Sequence, residues 1–482
     1  MKSMKKVVII GAGLTGLSAG ITLQKNGIQS EIYEMAPWPG GVCTAWTRKG
    51  HTFDGCIHWM VGTRTGDPMR KMYEDVGALN PETVIYNPFE ITMEIAGQVY
   101  RIPMNVELFH DYLVSIAPED SRFITRFCKE LERIANSVMI TGKPKSMSDF
   151  YVLMTKGRGF FRAIIKHLRK TVGQYAKPVQ NDQLRSIIHH LMPPSMSVFA
   201  LVMMLGTRMS DNGGYPIGGA KDMIKRMSSL YEKLGGKLTC DSKVDEIMVE
   251  GGTVKGIMTK GAFKEATHVI AACDMYDTLQ RMLKGRYPHP VLDKLLKDGP
   301  LFSPVMLVSY GLKRSFDIPF SIVHRLQTPL KTGGNMSVNS YHLRSFDFDP
   351  SFAPPGKSSV MVMLSAAFDE WHDLRINHYQ AYQTKKLEIA HQLADHINLR
   401  YPGFKDAIEV IDVATPSTYH RLNNLYKASY EGFLPEPALL KLNIKPSIKG
   451  IRNLYLAGQW TTPGGGIPPA VMSGIQTANK IK

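Results

Sequence analysis

The chain has 482 residues, of which 44% are hydrophobic and 21% are charged, and this is the composition of a globular protein. A chain of this length is expected to fold as two domains. Its longest apolar runs fall short of the ~18 residues that a membrane-spanning helix needs. The five cysteines are scattered and show no CxxC spacing, so we expect reduced thiols, a cytoplasmic location and no metal site.

The net charge is +16, from 58 basic and 42 acidic residues, and part of the excess lies in residues 151–190. Apolar residues recur there at helical spacing, with basic residues between them: Phe161, Ile164, Ile165, Leu168 and Val172. This pattern predicts a basic amphipathic helix, which either lies on an anionic membrane surface or packs on the protein's own core. The sequence carries no nucleic-acid-binding motif, so nucleic acid is not an expected partner.

The first predicted element is a buried strand at residues 6–10, which runs directly into Gly11, Gly13 and Gly16 and then into a helix. A second predicted strand ends on Glu34. In this order, Gly11 permits a tight turn, Gly13 lets the backbone approach a pyrophosphate, and Gly16 lets the helix pack closely. Free N–H groups at the helix start attract phosphate, and Glu34 can accept hydrogen bonds from ribose hydroxyls. The stretch therefore predicts a Rossmann-type dinucleotide-binding site.

Strand and helix signals along the rest of the chain predict two interleaved domains. Short apolar strands and glycine-rich turns return after a long stretch that looks mostly helical, and they return again at the C-terminus. We therefore predict an α/β protein whose Rossmann-type domain is built from discontinuous segments, 1–75, 215–285 and 445–482. An inserted α+β substrate domain comprises residues 76–214 and 286–444.

Further motifs accompany the glycine fingerprint from one end of the chain to the other. They are Gly40-Gly41, five residues after Glu34; Phe-Asp-Gly-Cys-Ile-His at 53–58; Tyr-Pro-Ile-Gly-Gly at 215–219; Val-Asp-Glu-Ile at 244–247, before a Gly-Gly hairpin; and Leu-Tyr-Leu-Ala-Gly at 454–458, before Pro-Gly-Gly-Gly-Ile-Pro at 463–468. With these motifs, the chain resembles the phytoene desaturase, carotenoid isomerase and retinol saturase family of FAD-dependent oxidoreductases.

The resemblance implies FAD as the cofactor and implies a set of contacts to it. On the adenosine and phosphate side the implied residues are Gly11, Gly13, Gly16, Glu34, Gly40, Gly41 and Val244, and on the flavin side they are Gly458, Gln459 and Ile467. Gly55 is a further implied contact to the cofactor. Two positions depart from the pattern, since Val42 stands where many members have Arg and Gln459 where many related flavoproteins have an acid. A second GxGxxG is absent, so direct use of NADPH is not indicated and the electron partner stays open.

Two residues are candidates for the chemistry itself. His58 is a candidate for proton transfer, because an imidazole titrates near neutral pH and the resemblance implies a position near the flavin. The alternative is a histidine that is hydrogen-bonded under the cofactor loop. Tyr215 is the second candidate, with a core tyrosine as its alternative.

The function that the resemblance implies is hydride transfer between flavin N5 and a carbon–carbon bond of an apolar substrate, such as a carotenoid, retinoid, isoprenoid or other lipid. The direction, saturation or desaturation, is left open. A double-bond isomerase that uses reduced FAD without net redox change is the main alternative. A flavin-binding protein without catalysis and an amine oxidase are two further alternatives. An enzyme with a lipid-dissolved substrate would also associate peripherally with a membrane.

Overall fold

The computed structural model describes residues 5–139, 147–442 and 444–481. The strands of these residues are β1 (Lys6–Ile10), β2 (Gln29–Tyr33), β3 (Ala45–Arg48), β4 (His51–Asp54), β5 (Met60–Val61), β6 (Ile85–Tyr86), β7 (Glu90–Ile95), β8 (Gln98–Pro103), β9 (Gly213–Pro216), β10 (Lys237–Thr239), β11 (Val244–Glu250), β12 (Thr253–Thr259), β13 (Ala262–Glu265), β14 (His268–Ala271), β15 (Val305–Leu312), β16 (Ile322–Gly333), β17 (Met336–Ser345), β18 (Ser358–Ser365), β19 (Ile408–Ala414) and β20 (Leu454–Leu456).

The α-helices of the same residues are α1 (Leu14–Lys25), α2 (Pro68–Asp75), α3 (Val106–Ile116), α4 (Ser121–Ala135), α5 (Met147–Thr155), α6 (Arg158–His167), α7 (Val172–Ala176), α8 (Asp182–Leu191), α9 (Val198–Arg208), α10 (Gly219–Lys233), α11 (Pro290–Asp298), α12 (Phe368–Asn377), α13 (Tyr379–Arg400), α14 (Phe404–Ala407), α15 (Pro416–Asn423) and α16 (Ile467–Lys480). Among these helices, none combines the length and the apolar character required to cross a bilayer.

A parallel five-stranded sheet has the order β10-β2-β1-β14-β20. Strand β1 lies at its centre, and Val7, Val8 and Ile9 are fully buried because helices or loops cover both faces. The strands come from distant parts of the chain, since β1 and β2 belong to its start and β20 to its end. The α/β class and the Rossmann-type sheet predicted from the sequence are confirmed.

Helices α1 and α16 cross closely on one face of this sheet. Thr15 Oγ1 donates a hydrogen bond of 3.0 Å to the carbonyl of Ala470. An added Cβ at Gly474 would lie 2.3 Å from the carbonyl oxygen of Thr15, so a larger residue does not fit at this crossing. The contact joins the first helix of the chain to the last one.

A second, seven-stranded sheet has the order β19-β15-β18-β17-β16-β7-β8. Its neighbouring strands are antiparallel except for β16 and β7, which are parallel. Side chains alternate between its two faces: Met306 and Val308 pack in the same core as α13, whereas Leu307 and Met361 pack in the core that contains α1. One face of this sheet therefore lies toward the first domain, and the other is covered by helices.

A helical layer accounts for much of the remaining chain before β9. Helices α3, α4, α8 and α9 share one core, and the apolar run of α9 is buried in it. The expectation that residues 76–214 are mostly helical misses strands β6, β7 and β8, of which β7 and β8 complete the seven-stranded sheet. Their side chains alternate over only a few residues, which is a weak signal beside long helices.

The amphipathic pattern predicted within residues 151–190 does not form one helix. The stretch is divided among α5, α6, α7 and α8. Phe161 and Ile165 of α6 are exposed, whereas Val172 of α7 is fully buried. The apolar residues therefore belong to two faces, because the chain turns between α6 and α7.

Segments between residues 285 and 445, which separate the last two predicted pieces of the first domain, also pack on the first sheet. Leu292 and Leu295 of α11 share a core with Val8 and Ile10, as do Phe433 and other residues near the C-terminus. We assigned these segments to the second domain on sequence alone, and the domain limits stay a prediction.

Candidate functional site: a dinucleotide turn and a buried polar cluster

The turn between β1 and α1 is built so that side chains are excluded from it. Gly11 has φ +98°, and an added Cβ there would lie 2.8 Å from the carbonyl oxygen of Ala272. An added Cβ at Gly16 would lie only 1.9 Å from the carbonyl oxygen of Gly11. Helix α1 begins after Gly13 without a side-chain cap. Its first N–H groups are therefore not used by a side-chain cap, and they suit a pyrophosphate.

Glu34 lies at the end of β2 beside this turn. Its carboxylate accepts hydrogen bonds from the N–H groups of Ala12, at 2.7 Å, and Ala36, at 2.9 Å. Burial raises the pKa of Glu34, while these backbone hydrogen bonds act in the opposite direction. The two donors fix the carboxylate in place, and its remaining lone pairs can accept from ribose hydroxyls.

The paired glycines at 40 and 41 lie directly against the fingerprint. The N–H of Gly40 donates to the carbonyl of Ala12 at 2.9 Å, and Gly13 and Gly40 form an isolated β-bridge. Gly40 has φ +128° and Gly41 has φ +59°, so both adopt backbone conformations that favour glycine. Two glycine-rich segments thus approach each other without side chains between them.

Val244 is buried at the start of β11 and packs in the same core as Tyr33. The loop that precedes it is held at the end of β2, because the N–H of Ser242 donates to the carbonyl of Glu34 at 2.7 Å. Val244 and Glu34 are therefore brought to one edge of the five-stranded sheet.

The C-terminal motif reaches the same region from the other side. The N–H of Gly458 donates to Ser473 Oγ at 2.9 Å, and Gln459 Nε2 donates to the carbonyl of Tyr430 at 3.0 Å. Helix α16 starts at Ile467 without a side-chain cap, after three glycines with positive φ. Because the next two residues are prolines, which have no N–H, this helix end offers the N–H of Ile467 to a ligand.

Asp54 organises the segment that contains Gly55 and His58. Its carboxylate accepts from the N–H groups of Cys56 and Ile57 and of Ala220, and from the hydroxyl of Tyr215 at 2.6 Å. An added Cβ at Gly55 would lie 2.8 Å from the ring of Trp46, so this glycine permits close packing of the segment.

Tyr215 is fully buried, among Phe320, Phe348 and Phe352. Burial and the neighbouring Asp54 carboxylate raise the pKa of its phenol well above the usual value. A hydroxyl that donates to Asp54 from an enclosed position suits a structural contact better than contact with a substrate.

His58 lies in a cluster of cationic and aromatic side chains. Its ring stacks on that of His342, with centroids 5.5 Å apart and planes at 21°. Burial lowers its pKa well below the usual value, and the positive charges of Arg344 and Arg208 lower it further. The imidazole is therefore neutral at neutral pH, so it can accept a proton but has none in excess to give.

Three residues of this region escaped the sequence analysis: Arg208, Arg344 and Glu431. Arg344 Nη1 donates to the carbonyl of Ile57 at 2.5 Å, and Arg208 lies 5.6 Å from the centroid of the Trp59 ring. Glu431 lies beside the glycines that precede α16, and burial raises its pKa to about 7. None of the three belongs to a local sequence motif. The sequence offers only weak signals for the two arginines: Arg208 ends the apolar helix α9, and Arg344 lies within strand β17.

The fold and the glycine turn define a dinucleotide-binding flavoprotein with a second, sheet-based domain. A family model described as flavin containing amine oxidoreductase matches residues 14–482. The chain belongs to that family, and its cofactor is FAD. The excluded Cβ positions, the uncapped start of α1 and the fixed Glu34 carboxylate fit this dinucleotide.

Three curated proteins illustrate what the chain is similar to. Prolycopene isomerase 2 from an Oncidium hybrid cultivar is 24% identical over 98% of this chain and 83% of its own length. All-trans-retinol 13,14-reductase from Danio rerio is 24% identical over 94% of this chain and 82% of its own length. Phytoene desaturase (lycopene-forming) from Pseudescherichia vulneris is 24% identical over 99% of both chains. The resemblance to carotenoid and retinoid enzymes predicted from the sequence is confirmed.

Solved structures agree on the fold. An oxidoreductase from Methanosarcina mazei matches with a TM-score of 0.62 at 16% identity, covering 98% of this chain and 100% of that one. Cyclohexylamine oxidase from Brevibacterium oxydans matches with a TM-score of 0.58 at 15% identity, covering 99% of both chains. At these identities the likeness concerns architecture alone.

Proposed function

We propose that this protein is an FAD-dependent oxidoreductase that saturates or desaturates a carbon–carbon bond of an apolar substrate. The relatives named as a retinol reductase and a phytoene desaturase support this reaction class. The observation that carries the proposal is the chemistry around His58, where a neutral imidazole and aromatic rings lie beside the cations Arg208 and Arg344. These cations repel a protonated amine, which argues against amine oxidation.

The cofactor contacts are part of the proposal. The adenosine and phosphate end of FAD would be held by Gly11, Gly13, Gly16, Glu34, Gly40, Gly41 and the backbone of Val244, and the flavin end would be lined by Gly55, Gly458, Gln459 and Ile467. FAD, when bound, supplies a hydride acceptor or donor at its flavin ring. The chain itself must then bind and orient the substrate, exclude water and manage one proton.

Two groups are suited to manage that proton in opposite directions. A neutral His58 can accept a proton from a substrate carbon, which is the requirement of a desaturase. Glu431, whose pKa is raised to about 7 by burial, is substantially protonated at neutral pH and can give one up from its carboxyl group, which is the requirement of a saturase. Tyr215, enclosed by aromatic rings, would position Asp54 and the 53–58 segment.

The test is anaerobic incubation of the oxidised and of the reduced protein with a lipid extract from the source cell. Flavin absorbance and product masses are followed together. A product that differs from its substrate by two hydrogens, formed as the flavin changes its oxidation state, is the expected result. No such product with either form of the protein would contradict the proposal.

The second candidate function is double-bond isomerisation with reduced FAD. The similarity to prolycopene isomerase 2 favours isomerisation, because this relative and the phytoene desaturase are both 24% identical to the chain. The same incubation separates the two, because an isomerase changes the retention time of a substrate but neither its mass nor the final oxidation state of the flavin.

We further propose a cytoplasmic protein that binds anionic membranes through α5 and α6. Exposed apolar side chains there include Phe150, Tyr151, Met154, Phe161 and Ile165, the last of them 81% exposed. Exposed basic residues lie among them, including Lys156, Arg158, Arg162 and Lys166. Apolar side chains that enter the headgroup region and bases that bind lipid phosphate form the combination that an interfacial surface requires.

Liposome flotation tests the membrane proposal. Vesicles with anionic lipid at low salt should carry the wild-type protein upward, and Ile165→Ser should weaken this. Ile376→Ser is the matched control, since Ile376 is 65% exposed on α12 and belongs to neither α5 nor α6. Wild-type protein that stays at the bottom of the gradient would remove the membrane from the proposal.

A further inference from the structure

Two arginines are buried in the cluster around His58. Arg208 is only 9% exposed and Arg344 only 2%. Arg344 Nη1 donates to the carbonyl of Ile57, but its Nε has no partner among the described residues. Nε and Nη2 of Arg208 are likewise buried without an acceptor in that part of the chain. Buried guanidinium groups normally bind carboxylates, phosphates or several carbonyls.

No carboxylate of the described residues forms an ion pair with either arginine. Residues 1–4, 140–146, 443 and 482 include no Asp or Glu, and the side chain of Asp149 in α5 lies outside the described part of the chain. Asp54 is the acid whose charge favours Arg344, but its oxygens already accept four hydrogen bonds from other donors.

The two arginines act on one another and on the same pair of imidazoles. Their charges lower the pKa of both His58 and His342, and repulsion by Arg344, added to burial, lowers the pKa of Arg208 to about 10. His342 and Arg344 are two residues apart on β17 and so lie on the same face of the sheet. Together with Trp59, which Arg208 overlies, these residues form what we call the arginine cluster: His58, Trp59, Arg208, His342 and Arg344.

Aromatic rings near the cluster offset part of its charge and form an apolar continuation of it. The guanidinium of Arg344 lies 5.8 Å from the ring centroid of Phe320 and 5.6 Å from that of Phe346. Phe320 in turn contacts Tyr86 and Phe348, and all three rings are only partly buried. Cation–π contacts are weak beside the cost of burying an unpaired charge, so an anion is still required.

We propose that Arg208 and Arg344 bind the carboxylate of the substrate, and that this substrate is a long-chain unsaturated carboxylic acid whose apolar chain follows the aromatic rings. This inference rests on the proposed function and names the substrate class of that same site. A planar carboxylate matches the fork of a guanidinium, and its charge neutralises the repulsion between the two arginines. His58 and His342 keep part of their surface accessible, and both feel the charges of the two arginines.

Equilibrium binding to the FAD-loaded protein tests the inference without any turnover. The probe is cis-parinaric acid, a fluorescent conjugated fatty acid, and the comparison compound is its methyl ester, which has the same chain and no charge. The acid should bind at least ~10-fold more tightly than the ester. Arg208→Gln should bring the two affinities within ~2-fold, whereas Arg208→Lys should keep part of the preference because it keeps the charge.

Arg101→Gln is the control, since Arg101 is exposed on β8 and pairs with Glu90 on the surface. It should leave the preference for the acid unchanged. Arg344→Gln should act like Arg208→Gln; if it does not fold, Arg208→Gln alone decides the question. The flavin midpoint potential is measured on the same variants as a second readout, and it should not move.

Equal affinities of wild-type protein for acid and ester would overturn the inference. So would an Arg208→Gln variant that keeps the preference but shifts the flavin potential, because the arginines would then serve the cofactor. A clear preference for the acid, combined with no two-hydrogen product in the incubation above, would instead leave the anion site standing and reject the proposed reaction.

Discussion

The glycine turn before α1 and the arginine cluster are built for ligands in opposite ways, the first from backbone N–H groups and the second, on our proposal, from charged side chains. The turn consists of consecutive residues and works by excluding side chains, so that backbone N–H groups meet the ligand. The cluster consists of side chains from separate parts of the chain and works by keeping charge out of water. Adding a small side chain should therefore disrupt the glycine turn, whereas the arginine cluster should respond mainly to substitutions that remove a charge.

The largest effect should come from Gly16→Ala in the turn. The new methyl group would lie 1.9 Å from a backbone oxygen of Gly11, which cannot move away without opening the turn. We expect a loss of ~3 kcal/mol or more in the free energy of unfolding, together with loss of the flavin. Thermal unfolding and the flavin content of purified protein measure both.

Gly27→Ala is the matched control for that variant. Gly27 has φ +73° but has nothing within 4 Å of an added Cβ, so only backbone strain of ~1 kcal/mol is expected. If Gly16→Ala stayed as stable and as yellow as Gly27→Ala, the account of the turn would be wrong.

Glu431→Gln tests the protonation state of a partly buried acid outside the arginine cluster. Because burial raises its pKa from 4.5 to about 7, folded protein holds this proton more tightly than the unfolded chain does. The free energy of unfolding should therefore fall as the pH rises through this window, by up to ~3 kcal/mol, and stay lower above it. The variant should lack this loss, so it should be more stable than wild type at pH 8 and equal to it at pH 4.

Urea unfolding of the flavin-free proteins at several pH values measures this difference. The exposed Glu232→Gln serves as control and should follow the wild-type curve. Parallel curves for wild type and Glu431→Gln at every pH would show that water already reaches this carboxyl.

Glu34→Gln tests whether charge also matters at the glycine turn, because Glu34 is the one charged side chain that we assign to this turn. The amide keeps one oxygen for the N–H of Ala12 or Ala36 but turns an NH2 group toward the other. We expect flavin affinity to fall ~10-fold or more and stability to fall by ~2 kcal/mol. Glu31→Gln, on the same strand and only 4.0 Å from Lys6 in a surface pair, should change neither, as flavin titration can show.

Tyr215→Phe should give the smallest effect. It removes one buried hydrogen bond to Asp54, which keeps three N–H donors, so we expect a loss of ~1.5 kcal/mol in the free energy of unfolding. The turnover number should stay within ~3-fold of wild type, because the phenol is fully buried and its hydroxyl donates to Asp54. A fall of ~100-fold or more with unchanged stability would assign it a chemical role instead.

The same contrast explains what could be read from the sequence. The strand at 6–10, the glycine spacing and the acid after β2 are local signals, and each follows from backbone geometry that only certain residues allow. Strands β7 and β8 form a short hairpin, and the pairing that joins this hairpin to the sheet, between β7 and β16, spans more than two hundred residues of the chain. Pairing over such a distance leaves no trace in a short window of sequence.

The site was predictable to the same extent. The motif of His58 predicts a position near the cofactor, but its lowered pKa comes from burial and from Arg344, His342 and Arg208, which belong to β17 and α9. Glu431 is ordinary in sequence and becomes unusual only through burial beside the glycines before α16. The protonation state of such groups depends on residues that are distant in sequence, so it can be inferred only from the three-dimensional structure.

The crossing of α1 and α16 has a consequence for how the protein is made. A ribosome delivers α1 long before α16, so α1 must wait for more than four hundred further residues before this packing partner emerges. Until then, the apolar side of α1 that faces α16 is open to chaperones or to aggregation. Synthesis that stalls before α16 should therefore yield a polypeptide that is degraded rather than a partly active enzyme.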